Sequence, residues 1–365
     1  MNITRPTIME IDLDAFEYNV KQIKKYIGNS VTLMPVIKAN AYGTHINFVK
    51  EVLEQFDIVA VALVDEAVEL RKCGFSKEIF VLNQPYKDEI EKIIKYNITI
   101  GLSDDSFLEE IGKLKVHIKT HIEIETGMGR TGINSSKIID FIKKIKNYSN
   151  IEVEGIYTHL SSADNDDEYT RKQLLIFENA VKKAHSILGN LKYIHCSASN
   201  GILNFPNSYY NLIRAGIILY GYESCDKTLE KIDLKPVCKL KSKITFLKDV
   251  KPETSIGYSR GFITKRKTKI ATIPIGYADG LKRVLSNKGH VIINNTKVPI
   301  IGNICMDSFM ADVTELDKIS VGDDVYIWDN KIITLEEIAK QCNTINYEIL
   351  STISDRVPRI FNKHY

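Results

Sequence analysis

The chain has 365 residues, a formal net charge of +3 at pH 7, 26% charged and 44% hydrophobic residues; this is the composition of a soluble globular protein long enough for two domains, or for one barrel with an appendage. Acids and bases are interspersed, which leaves no basic stripe for nucleic acid, and no apolar run approaches the roughly 18 residues of a membrane span. Arg5, Glu10 and Asp12 fall where a signal peptide needs an apolar core, so a cytoplasmic protein is expected.

The first helix is predicted from Asp14, with Glu17 completing a capping box, to a stop at Gly28; Phe16, Val20, Ile23 and Ile27 share one face. Strands are then predicted at 31–38, 58–63, 79–83, 98–102, 117–125, 151–158, 193–197 and 213–219, with helices at 45–56, 65–73, 87–96, 136–148 and 168–188 between them. Eight short apolar strands alternating with amphipathic helices imply a (β/α)8 TIM-like barrel. From about residue 236 the texture changes to β-rich strings such as KLKSKITFL, KIATIPIGY and HVIINNTKVPII, broken by Gly, Asn-Asn and Asp pairs, with one late helix near 335–342. This reads as a C-terminal, mainly antiparallel β domain. The expected division is a barrel over 1–230 and a β domain over 231–365.

Six scattered cysteines without a CxxC pair suggest reduced thiols, neither a zinc site nor a disulfide framework. His117 and His121 are four apart, but they lie in a stretch that alternates with period two, so they are expected to be structural strand residues and no metal site is predicted. Lys38 is different. It ends the apolar run Val31–Ile37 and opens KANAYG; a buried strand that delivers one amine to its polar end desolvates it and favours the neutral, nucleophilic form. The phenol of Tyr42 follows directly and could anchor a phosphate. Arg130, His159, Ser199 and Arg214 also lie at or near the ends of predicted strands, the rim where barrel enzymes place catalysis.

These segments also carry a family resemblance. VIKANAYG, TGMGRTG, YTHLSSAD, IRAGIILYG, IGYADG, GNICMD and RVPRIF occur in this order across nearly the whole chain, and each resembles a motif of the alanine racemases, fold-type III enzymes that use pyridoxal 5'-phosphate (PLP). The resemblance implies that Lys38 carries PLP and acts as one of two bases, with Tyr277 the other on the opposite face. It implies that Arg214 faces the pyridine nitrogen, that His159 lies against the ring, and that Tyr42, Ser199, Gly216 and Ile217 hold the phosphate. Arg130 and the backbone of Met306 would bind the substrate carboxylate, and Tyr258 and Asp307 would line the entrance or support Tyr277. It further implies a homodimer with shared active sites, in which Tyr277 and Met306 act across the interface.

Two positions depart from the family pattern. Glu123 stands where many members have a lysine modified to a carbamate that orients the arginine, and could supply that carboxylate directly. Asp355 stands where a tyrosine that touches the phosphate is expected. Its loss would widen the pocket, which makes a serine or broad-specificity racemase of the glycopeptide-resistance type the alternative to an alanine racemase supplying D-alanine for peptidoglycan. A non-catalytic PLP carrier is a third reading, for which the β domain bearing Tyr277 would be superfluous.

Overall fold

The computed structural model describes residues 4–48, 52–223 and 232–363. The chain divides into two compact units, neither of them contiguous: residues 17–41 with 46–235, and residues 1–16 with 42–45 and 236–365.

Strand β1 (Ile8–Asp12) runs directly into the helix Leu13–Ile27. The Asp12 carboxylate accepts the Ala15 N–H at 2.8 Å, so the cap lies two residues before the predicted Asp14. The strand leaves no intervening turn, and its last residue is already in position to cap. Phe16, Val20, Ile23 and Ile27 are all buried, as their spacing requires.

The unit containing residues 46–235 is the eight-stranded parallel barrel. Its strands are β2 (Thr32–Pro35), β3 (Ile58–Val61), β4 (Glu78–Val81), β5 (Thr99–Leu102), β6 (Ile118–Glu125), β8 (Ile151–Tyr157), β9 (Tyr193–His195) and β10 (Leu212–Ala215), while β7 (Ile133–Asn134) is a two-residue edge on β6. β3 to β9 pair in order, β10 pairs with β2, and a bridge between Val36 and Ala60 joins β2 to β3. The Arg214 N–H closes the ring by donating to the Ser197 carbonyl at 2.9 Å. β3, β5 and β10 are buried along their whole length, which is why these strands read as unbroken apolar runs and not as alternations.

The helix expected at 45–56 falls in part on residues 49–51, which lie outside the described residues; before them, Ile46–Phe48 form a 3-10 turn. The helix Asp105–Gly112 was not predicted. It is short, and it is fixed by Asp104, whose side chain accepts the Phe107 N–H at 2.7 Å.

The second unit is built on a nine-stranded sheet. β11 (Cys238–Lys243), β12 (Phe246–Val250), β15 (Thr268–Ile273), β16 (His290–Ile293), β17 (Thr296–Ile301), β18 (Phe309–Asp312), β19 (Asp324–Trp328) and β20 (Arg359–Asn362) join β1 in the order β12-β15-β18-β17-β16-β19-β11-β1-β20, and β13 (Ser255–Ile256) and β14 (Phe262–Ile263) form a separate hairpin. All pairings are antiparallel except β1 with β20. The expected late helix is present at Leu335–Gln341, capped by Thr334, and a second, unpredicted helix follows at Asn346–Ser351.

The two compact units differ from the expected division at 230/231 in two ways. Residues 1–16 and 42–45 group with the C-terminal sheet because β1 lies between β11 and β20. Residues up to Lys235 stay with the barrel, where the Asn19 amide donates to the Leu219 and Lys235 carbonyls at 3.0 and 2.8 Å and accepts the Lys235 N–H at 2.7 Å. Residues 224–231, which contain the expected boundary, lie outside the described residues. Among the described residues, no helix is long and apolar enough to cross a membrane.

Candidate active site

Lys38 follows the C-terminal end of β2, half-buried, and the backbone then turns with the opposite hand: Ala39, Asn40 and Ala41 have φ/ψ near +54°/+51°, and Tyr42 continues at φ +54°. Left-handed helical conformation costs roughly 1–2 kcal/mol per non-glycine residue, so this turn must be held from outside. The Glu66 carboxylate does so, accepting the Ala39 N–H with one oxygen and the Ala62 and Leu63 N–H groups at 2.8 and 3.1 Å with the other. The Asn40 side chain accepts the Ile46 N–H at 2.8 Å. The amine of Lys38 is pulled below its usual range, first by burial and then by the charge of Arg130, with Glu66 opposing and Arg214 adding to the shift.

Arg214, on β10, is 2% exposed. Its guanidinium donates to the carbonyls of Thr158 and Cys196 at 2.8 and 3.0 Å, and its nitrogens lie 2.7 Å from His195 Nδ1 and 3.3 Å from His159 Nδ1. All four partners are neutral, because burial and the nearby cations hold both imidazoles well below their ordinary range, His159 at about 3. A buried cation with only neutral partners suits neutral acceptors, and an anionic group, beside it. Around it the barrel interior is packed with rings: Tyr157 stacks on His195 at 5.1 Å, and Phe80 on His121 at 4.3 Å.

Ser199 follows β9, and Gly216 and Ile217 follow β10. The Ser199 hydroxyl accepts the Gly216 N–H at 3.2 Å, and Gly216 opens the 3-10 turn Ile217–Tyr220. A hydroxyl and backbone N–H groups thus gather after the last two strands, the usual barrel phosphate position. Arg130 is exposed in the TGMGRTG loop, whose shape is set by Glu125: its carboxylate accepts N–H bonds from Gly127 and, at 2.8 Å, from Gly129. Glu123 is 3% exposed with one oxygen unpartnered, and burial raises its carboxyl pKa against the pull of Thr131 and then of Arg130. It feels the charge of Arg130 without an ion pair to the guanidinium, and its hydrogen-bond neighbours are Thr131 and Tyr157.

The second unit carries the remaining residues. IGYADG and GNICMD lie side by side: the N–H groups of Tyr277 and Ala278 donate to the Cys305 and Met306 carbonyls at 3.1 and 3.0 Å, and a Cβ on Gly276 would stand 2.3 Å from both oxygens. Asp279 is fully buried, accepts the Gly276 N–H at 2.9 Å, and pairs with Arg5 at 2.8 Å and Arg356 at 3.4 Å; Arg356 also holds Asp307 at 2.6 Å. On this frame Tyr277 is 43% and Met306 53% exposed. Tyr258, 71% exposed, sits on the neighbouring 3-10 turn, where its carbonyl accepts the Asn303 amide at 2.8 Å. Tyr42 is buried, and the ring beside it belongs to Tyr347, 6.0 Å away between centroids. The Asp355 side chain is 82% exposed in the single chain and lies 3.9 Å from the Arg359 guanidinium; Tyr347 is a residue that no sequence motif pointed to.

Full burial of His195 gives the protein an acid-sensitive element. Its folded pKa lies far below the 6.5 of an exposed histidine, so as pH falls through about 6.5 the unfolded chain binds a proton that the folded chain refuses, and stability is lost. Glu78 and Glu123, with raised carboxyl pKa values, act in the opposite sense, so the informative quantity is a difference. Urea titrations of the parent and His195→Asn between about pH 7.5 and 5.5 should show a slope flatter in the variant by up to about 1.4 kcal/mol per pH unit. Equal slopes would mean that His195 is already protonated in the folded protein.

Two family models cover the chain: "Alanine racemase, N-terminal domain" over residues 11–224 and "Alanine racemase, C-terminal domain" over residues 237–361. Alanine racemase from Halothermothrix orenii is 40% identical over 98% of this chain and 97% of its own length, and that from Methanococcus maripaludis is 40% identical over 98% and 99%. Among solved structures, alanine racemase from Clostridium difficile 630 matches with a TM-score of 0.95 at 35% identity, covering 99% of this chain and 97% of that one.

Proposed function

The chain belongs to the alanine racemase family, isomerases that interconvert the enantiomers of alanine, and on that premise we propose how its residues divide the work. Lys38 holds pyridoxal 5'-phosphate through its amine. The observation that carries this is the buried, neutrally partnered Arg214 at the same barrel rim as a half-buried lysine whose amine pKa is lowered. Bound there, PLP would supply an electron-accepting ring that stabilises the carbanion left when the α-proton departs.

The chain's own residues set up the rest. Arginine cannot give up its proton to a pyridine nitrogen, so Arg214 would leave that nitrogen unprotonated and limit the electron withdrawal, which would disfavour side reactions. Ser199, Gly216 and Ile217 would hold the phosphate with a hydroxyl and backbone N–H groups, Tyr42 would add its phenol, and His159 would help hold the ring. Arg130 and the Met306 backbone take the substrate carboxylate. Lys38 and Tyr277 move the α-proton from opposite faces, as inversion requires. A carrier without catalysis would have no use for Tyr277. Similarity along the full length to curated alanine racemases favours alanine over serine. We place the activity in the cytoplasm, as a source of D-alanine for peptidoglycan.

The direct test is visible absorbance of the purified protein with PLP, together with loss of optical activity from L-alanine. Absence of both would end the racemase reading. The homodimer with shared sites has its own test. If Tyr277 of one protomer serves Lys38 of the other, mixing inactive Lys38→Ala and Tyr277→Phe proteins should restore about a quarter of parental activity, because random re-pairing in a twofold dimer makes half the dimers hybrid, each with one intact site. No recovery after verified subunit exchange would place both residues in one protomer's site.

A further inference from the structure

We propose that His121 and Glu154 are positioning residues for Arg214, forming the far half of a hydrogen-bond relay of fixed direction, Arg214 to His195 to His121 to Glu154, through the barrel interior. The importance of Arg214 to the reaction rests on the racemase reading above; the relay itself rests on geometry. Arginine only donates, so the 2.7 Å contact between Arg214 Nη1 and His195 Nδ1 makes Nδ1 an acceptor and puts the proton of the neutral ring on Nε2. His195 Nε2 lies 2.9 Å from His121 Nδ1, which must then accept, so His121 in turn carries its proton on Nε2.

That N–H is buried without a hydrogen-bond partner, and so is Oε2 of Glu154. The donor forced on His121 and the acceptor left over on Glu154 complement each other, and one ligating atom from each of Glu78, His121 and Glu154 lies within 4.8 Å of the others. A direct bond or one bridging water would satisfy both orphans. Glu154 is anchored for this purpose. Its other oxygen takes the ammonium groups of Lys119 and Lys192 at 2.9 and 3.3 Å, and Lys192 also holds Glu78 at 3.0 Å. These lysines keep the carboxylate ionised in spite of its burial.

The same three residues could in principle grip a metal ion, but the relay opposes it. A metal on His121 Nε2 would move the proton to Nδ1, reverse His195, and set an N–H of His195 against an N–H of Arg214. The two ammonium groups would also face the incoming cation.

The test is nitrogen NMR of the histidine-labelled full-length holoenzyme, with signals assigned through His121 and His195 variants. Both rings should be Nε2–H tautomers. An Nδ1–H on either ring, or loss of the His121 Nε2–H signal on adding one equivalent of zinc, would overturn the relay. Both Glu154 variants should keep the tautomers, which Arg214 fixes; Glu154→Gln retains an acceptor oxygen and should keep the His121 Nε2–H resonance and kcat within about threefold, whereas Glu154→Leu leaves that N–H without an acceptor and should move its resonance and lower kcat about tenfold with little change in KM. An unchanged kcat and an unmoved His121 Nε2–H resonance in a folded Glu154→Leu protein would also overturn it. If the leucine variant does not fold, the parent spectrum still decides. Correct tautomers in a protein that racemises nothing would instead remove the racemase reading and leave the relay standing.

Discussion

Tyr277→Phe is expected to lower racemisation by about 10²–10⁴-fold in both directions, the usual loss when a positioned acid–base group is removed, without unfolding the loop that bears it. The loop is held by other atoms: backbone bonds from Tyr277 and Ala278 to Cys305 and Met306, the close approach at Gly276, and buried Asp279 between Arg5 and Arg356. Its ring is 43% exposed, so loss of the hydroxyl strips no buried partner. Inversion needs two bases, but exchange of the α-proton needs only one. The variant should therefore still exchange the α-proton of one alanine enantiomer with deuterated solvent through Lys38, with retention and without racemisation. Equal exchange from both enantiomers would show that Tyr277 is not the second base.

Lys38→Ala is expected to remove both the visible absorbance of bound PLP and more than about 10⁴-fold of activity, because one side chain serves as covalent anchor and as base. The turn behind it should persist, since Glu66 grips the backbone N–H groups of Ala39, Ala62 and Leu63 and not the lysine amine. An unchanged absorbance would place the cofactor on another lysine. A circular dichroism spectrum like that of the parent would confirm that the loss is chemical.

The barrel was legible because its strands are buried on both faces, so IVAV or TIGL reads as apolar without a break, and because helices such as Asp167–Leu188 run long enough to show their period. Asp105–Gly112 and Asn346–Ser351, about two turns each, escaped because so short a stretch shows its period weakly. The burial of β1 alternates cleanly, but alternation says that a strand has one buried face and not which sheet will take it. The rim residues at strand ends could be found from position and motif. The His121–His195 pair could not, since nothing local in either strand announces a partner so distant in sequence. Tyr347, whose ring lies 6.0 Å from that of Tyr42, was missed for the same reason. Glu123 was read as a carboxylate that could orient Arg130; its hydrogen-bond neighbours Thr131 and Tyr157 are tertiary facts that no motif encodes.

The position of β1 sets a timetable for synthesis. Met9 pairs with Leu240 on one side and Arg359 on the other, so β1 leaves the ribosome about 350 residues ahead of its second neighbour. At ~5–20 residues per second that is roughly 20–70 s. For most of this time β1 has neither neighbour, and both its edges can template pairing with another nascent chain. The barrel can close meanwhile, but the sheet cannot be completed until β20 has been made, so a message truncated before residue 359 would release a protein with a formed barrel and an open edge.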